Sequence, residues 1–171
     1  MNSHSALRLA ATPFAVALSL GLIACGGDDN PASVTPPPDV AGPYFVQWTL
    51  QVLRKSDGFQ KQFDCYGTMT LVQGAATAST STLSGFAVVS SVCPPDSYDL
   101  NGSVSSGGAI EFNTNGPKPP EGPCPGGTNV HFTGQVTSSG SSRIVSARGV
   151  TNVTCPQYGD HEFTYLINAS R

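Results

Sequence analysis

The chain has 171 residues and a formal net charge of -3, from 8 Lys+Arg against 11 Asp+Glu, with only 11% of residues charged. It has no Lys/Arg run, so it lacks the electrostatic footprint of a nucleic-acid binder. Gly, Ser and Thr are abundant instead, a composition that suits short strands and tight turns and disfavours helices.

Residues 1–24 carry one formal charge, Arg8, and no acid. A mostly apolar run, Leu9 to Ala24, follows, broken by Thr12, Pro13 and Ser19. It is too short for a comfortable membrane span, which takes about 20 apolar residues. A basic start, a short apolar segment and small residues at its end describe a secretory signal peptide. The next residues, Leu22-Ile23-Ala24-Cys25, resemble the lipobox of bacterial lipoproteins. The resemblance implies cleavage before Cys25, a diacylglycerol on the Cys25 sulfur and acylation of the new N-terminus. Leu22 takes the apolar recognition position and Ala24 the small residue before the cut, while Ile23 stands where the family usually has a small residue. Gly26 rather than Asp follows the cysteine, which in that family favours the outer membrane. One acyl chain binds a membrane marginally, whereas two or more hold it firmly.

From Cys25 to Gly42 the chain has no hydrophobic periodicity and contains Pro31, Pro36, Pro37 and Pro38 with three Asp. This composition predicts a tether that buries no core. Extended at about 3.1 Å per residue, it reaches roughly 50 Å. The remainder, 43–171, is one domain's worth of chain.

Within that domain, apolar residues alternate with polar ones. Tyr44, Val46, Trp48, Leu50 and Val52 come first, then Phe63, Cys65, Met69 and Leu71. The stretch "STLSGFAVVSS" follows, then Tyr98, Leu100 and Val104, and Ile110 with Phe112. Val130, Phe132 and Val136 are next, then Val145, Ala147 and Val153, and finally Phe163, Tyr165 and Ile167. Period two is the signature of half-buried antiparallel strands. These segments predict eight strands, with turns at Gln73-Gly74, Ser106-Gly107 and Ser139-Gly140. In the first strand, Trp48 is expected inside with Val46 and Leu50, while Gln47 and Thr49 face water. A weak repeat, "LSGFAV", "LNGSV" and "FTGQV", places a glycine inside three strands, where it is costly unless the strand bends or packs closely. Regular kinks of this kind curl a sheet towards closure, which removes exposed edges. The expected fold class is all-β: an antiparallel up-and-down meander, closed or nearly closed as an eight-stranded small barrel.

Four cysteines remain beyond Cys25, at 65, 93, 124 and 155. Their spacings of 28, 31 and 31 contain no close pair of the zinc type, and an even count in an exported domain indicates two disulfides. Cys124 and Cys155 are symmetric about the Ser139-Gly140 turn, and Cys65 and Cys93 about residue 79. Sequential pairing, Cys65–Cys93 and Cys124–Cys155, follows from that symmetry.

The strand pattern with its "SG" and "TG" segments resembles the small bacterial lipocalin-like and avidin-like meander barrels. Gly42 lies six residues before Trp48, so the lipocalin Gly-x-Trp is absent as such.

No residue stands out as catalytic. There is no Gly-x-Ser-x-Gly elbow. Alternation turns His131 outward and His161 inward near a rim, with Asp160 and Glu162 on the opposite face from His161. Asp96, Asp99 and Asn101 read as turn chemistry. With the bacterial host that the lipobox resemblance implies, the Asn-x-Ser/Thr matches at Asn101, Asn152 and Asn168 read as chance matches in a Ser/Thr-rich chain. The loop Asn113–Asn129, rich in Pro and Gly, is the longest irregular segment and sits where barrel-mouth loops carry function. The expectation is a membrane-anchored envelope lipoprotein without enzymatic activity, a binding or interaction module with no cofactor, no metal and no nucleic-acid partner. Its partners are the membrane, through the N-terminal lipid, and a small apolar ligand or an envelope protein. Trp48, Tyr98, Tyr165 and His161 are the expected cavity lining. The alternative is an envelope hydrolase with a rim site near His161.

Overall fold

The computed structural model describes residues 34–171. Arg8, the apolar leader and Cys25 lie outside the described residues. Eight strands follow one another: β1 (Gly42–Arg54), β2 (Gln60–Thr77), β3 (Thr80–Ser91), β4 (Asp96–Ser105), β5 (Ala109–Thr114), β6 (Val130–Ser139), β7 (Ser142–Cys155) and β8 (Gly159–Ser170). Each pairs antiparallel with its neighbour, and β1 pairs with β8 to close a barrel. The order is a simple meander, so no strand edge is left open.

The alternating residues meet inside. Tyr44, Val46, Trp48, Leu50 and Val52 of β1 are buried, as are Phe163, Tyr165, Ile167 and Ala169 of β8. Trp48 faces Cys65 on one side and Ile167 on the other. Its ring centroid lies 5.7 Å from Phe132, 6.0 Å from Tyr98 and 6.5 Å from Tyr165. Phe112 stacks on Phe132 at 5.1 Å. These rings fill the middle of the barrel.

The strand glycines do what the repeat suggests. A Cβ on Gly102 would overlap the Glu111 carbonyl oxygen, and one on Gly134 that of Ser146. Gly85 meets Thr70 in the same way. Only a residue without a side chain lets neighbouring backbones approach so closely, which is how a short sheet coils tightly enough to close.

Both disulfides form as expected, Cys65–Cys93 and Cys124–Cys155. Each closes a loop of about 30 residues and stabilises the fold by about 3.6 kcal/mol in the chain-entropy account. The geometry behind the second pair differs from the hairpin symmetry. The β6–β7 turn is Gly140-Ser141, with Ser139 opposite Ser142, and Gly140 takes φ 58°. That register is one residue off the symmetry axis. Cys124 moreover lies in the loop before β6, so the loop folds back to bring it to the end of β7.

Four other expectations are corrected. Gln73-Gly74 is no turn: β2 runs on to Thr77, with a bulge between Gln73 and Ala76, and the chain reverses at Ala78-Ser79. Asp96, Asp99 and Asn101 belong to β4, on its exposed side. Thr49 points outward but is only 8% exposed, because its hydroxyl donates to Asp64 Oδ1 at 2.6 Å across the β1–β2 ladder. The end of the segment read as a tether is packed. Val40 is fully buried and accepts the Tyr44 hydroxyl, while the Asp39 carbonyl accepts from Arg143 and Arg171. One buried apolar residue seats it, and hydrogen bonds from Arg143 and Arg171, with one from Val40 N to Gln73 Oε1, hold it there.

Truncating Trp48 to Ala is expected to cost about 3–5 kcal/mol, the range for a large buried aromatic. Gln47→Ala on the outer face stays within about 0.5 kcal/mol. Urea titration of the two variants separates these outcomes.

Candidate functional site at the barrel mouth

In a meander the two ends of the barrel differ. One end holds residues 34–41, the β2–β3, β4–β5 and β6–β7 turns and Arg171. The other, the mouth, holds the β1–β2, β3–β4 and β7–β8 connections and the long loop 115–129. A pocket of about 280 Å³ opens at the mouth. Val52, Phe63 and His161, all buried, form its inner side, and the exposed Phe59 and Tyr158 its rim. Pro119, Glu121 and Cys124 bring the long loop to it.

One hydroxyl holds the inner limb of that loop as a cap. Tyr165 projects from β8 into the aromatic core, and its Oη accepts from Gly127 N at 2.8 Å and donates to Pro117 O at 3.2 Å. Gly116 N also donates to Gly127 O at 2.8 Å, tying the two loop limbs together. A Cβ on Gly116 would overlap the Tyr165 ring, so the loop lies flat on the ring only because that residue is Gly. The Cys124–Cys155 bond and a Lys61–Glu121 ion pair fasten the outer limb.

Two cations stand at the rim on aromatic faces. The Arg54 guanidinium lies 4.9 Å from the Phe59 centroid and 5.5 Å from that of Tyr158, and 3.4 Å from Asp57. Lys61 sits 5.0 Å above Phe63. Such stacking orders the rim rings, each contact being worth about 0.5–1 kcal/mol at exposed sites. Burial pushes the Tyr98 phenol up to about 12, with the Asp96 carboxylate adding to it. Desolvation raises Tyr165 too, against the Gly127 hydrogen bond, which lowers it.

Of the four residues expected to line a cavity, only His161 lines this pocket. Its ring Nδ1 is 2.9 Å from Gly159 O, and the ring meets Phe163 edge-on. Trp48, Tyr98 and Tyr165 are buried in the barrel centre, against one another and Phe132. His131 is exposed, beside Asn113 Oδ1 at 3.2 Å. Asp160 accepts from Thr154 at 2.7 Å on the outer face, away from His161. Sequence reasoning missed Arg54, Phe59, Lys61, Glu121 and Tyr158. A signal existed for two of them: Phe59 in "SDGFQ" and Tyr158 in "PQYGD" are aromatics in glycine-containing hairpin connections, where no core demands them.

Comparison with protein-family models, curated proteins and solved structures finds no significant match to this chain.

The tyrosine shift gives a pH dependence of stability. The folded state keeps the Tyr98 proton to about 12, whereas the unfolded chain releases it near 10.0. The contribution is therefore intact below pH 10 and lost as pH rises towards 12. Urea midpoints are expected to fall across that window, and to fall less steeply in Tyr98→Phe. Equal slopes for the two proteins contradict the assignment.

Proposed function

We propose that this protein is a cell-envelope lipoprotein, anchored through acylated Cys25, whose barrel is a non-enzymatic binding module for a small apolar ligand. The mouth pocket carries the reading. It is concave, lined mainly by Val52, Phe59, Phe63, Pro119 and Tyr158, and edged by a few charged groups. That is the usual make-up of a small-molecule site, and about 280 Å³ is just below the usual range of about 300–1,000 Å³. The ligand class is thus one of few rings or a short chain. His161 supplies no nucleophile–base pair to the pocket: its neighbours are a backbone carbonyl, a phenyl ring and a disulfide.

The placement of the chain ends supports the same reading. Residues 34–41 join the barrel at the end opposite the mouth. The segment that leads from Cys25 therefore meets the barrel away from the pocket. The closed eight-stranded meander agrees in architecture with the lipocalin-like and avidin-like barrels that the strand pattern resembles.

Two measurements test the proposal. Cys25→Ser is expected to abolish acyl mass and leave the leader uncleaved or the protein mislocalised. Unchanged processing and membrane fractionation of that variant refute the anchor. For the pocket, anilinonaphthalene sulfonate fluorescence is expected to report binding that Phe59→Ala with Tyr158→Ala weakens by about tenfold or more, roughly 0.5–1.5 kcal/mol per aromatic contact. Phe45→Ala, on the outer wall, should leave it unchanged. If Phe45→Ala removes the signal instead, the site is on the wall and not at the mouth.

A further inference from the structure

The Cys124–Cys155 disulfide has an unusual neighbour. A ring nitrogen of His161 and the two sulfurs all lie within 4.8 Å of one another. His161 is 5% exposed, with Nδ1 2.9 Å from Gly159 O; the neutral tautomer that donates Nδ1–H to this carbonyl has its lone pair on Nε2. A backbone carbonyl on one ring nitrogen, with the other left to ligate, is the support that metal-ligating histidines ordinarily have.

We infer that this disulfide is a redox gate on a metal site: once a dithiol opens it, Cys124, Cys155 and His161 bind one zinc-class divalent cation. This inference stands apart from the small-ligand reading, although it shares the pocket.

The geometry is close to what such a site needs. Metal–sulfur bonds of about 2.3 Å and metal–nitrogen bonds of about 2.0–2.1 Å put tetrahedral donors about 3.4–3.8 Å apart. Donors now within 4.8 Å therefore close by about 1 Å, while the two sulfurs part from their bond. Cys124 is the side that moves. It is half-buried in the long loop, whereas Cys155 ends a strand and is 1% exposed. Three protein donors leave a fourth position, and both Cys124 and His161 line the open pocket. An open fourth position is what separates a reactive zinc site from a structural one.

The same exposure pattern makes the gate selective. Cys65 and Cys93 are 0% and 4% exposed, inside the core, while Cys124 faces the pocket. A reductant thiolate attacks Cys124 Sγ and expels the Cys155 thiolate. The second thiol of the reductant then resolves the mixed disulfide. The protein gains two electrons and two protons as two thiols, and the reductant leaves as its own disulfide. Metal binding releases both thiol protons.

The test uses the full chain carrying Cys25→Ser, titrated with Co²⁺ before reduction, and again after dithiothreitol treatment and desalting. Alkylation mass after reduction should show two free thiols. The reduced protein is expected to bind one Co²⁺ with thiolate-to-cobalt charge-transfer absorbance, and the oxidised protein to show none. His161→Gln should weaken binding by about 10–100-fold or more, since even outer-shell partners cost that much. His161→Cys, which restores a donor, should recover binding and strengthen the charge-transfer band. The inference is overturned by four free thiols, by no cobalt band in the reduced chain, or by equal affinity in reduced wild type and His161→Gln.

Discussion

The packing of Trp48 against Phe132, Tyr98 and Tyr165 is the interaction on which the rest of the structure depends. An eight-stranded barrel closes around a space just wide enough for side chains. Left empty, that space would cost the dispersion contacts of every residue lining it. Four large rings in edge and tilted contacts fill it, and the β1–β8 ladder closes the wall around them. Trp48 Nε1 finds no acceptor among the described residues, so its ring acts through area and shape. The glycines of β3, β4 and β6 are the complement of this filling. They let the wall draw in around the rings, and the rings stop it collapsing further.

A filled centre moves the usable space to the ends. At the mouth, the loop between β5 and β6 cannot pair as a strand because of its prolines, and it settles onto the outermost core ring. Tyr165 thus belongs to two structures at once: its ring completes the core and its hydroxyl carries the cap. Tyr165 thereby couples the core to the cap, beside the direct core contacts that Val52 and Phe63 give the pocket. The opposite end is built differently, with short turns and a tail clamped by Arg143 and Arg171. Among the described residues the barrel is therefore polarised, with a clamped segment at one end and an open pocket at the other.

The second disulfide sits at the point where cap, barrel and pocket meet. Cys65–Cys93 is sealed in the core and serves stability. Cys124–Cys155 fastens a loop beside a buried imidazole and an open cavity. The two bonds have similar loop lengths and comparable entropic effects, yet their surroundings give them different chemistry. Burial, access and neighbours separate them, and none of these is a property of the cysteines alone.

The sequence by itself determined the strands, because alternation is local: each residue's face is set by its immediate neighbours and the pleat. All eight strands, the closed meander and the inward set from Tyr44 to Ile167 were legible in this way. The disulfide pairing was legible too, although the hairpin symmetry behind Cys124–Cys155 was one residue off and ignored the loop. Gln73-Gly74 misled because a bulge and a turn share the same residues, and only pairing with β3 tells them apart. Thr49 misled because its cover comes from Asp64 on another strand. Alternation placed His161 at a rim, but the pocket as a whole was decided by tertiary structure. Residues 54, 59, 61, 121, 158 and 161 come from three connections and their flanking strands, and no local rule relates them. Where the centre filled and where space remained depended on the sizes of rings that meet across the barrel, a sum that no single strand contains.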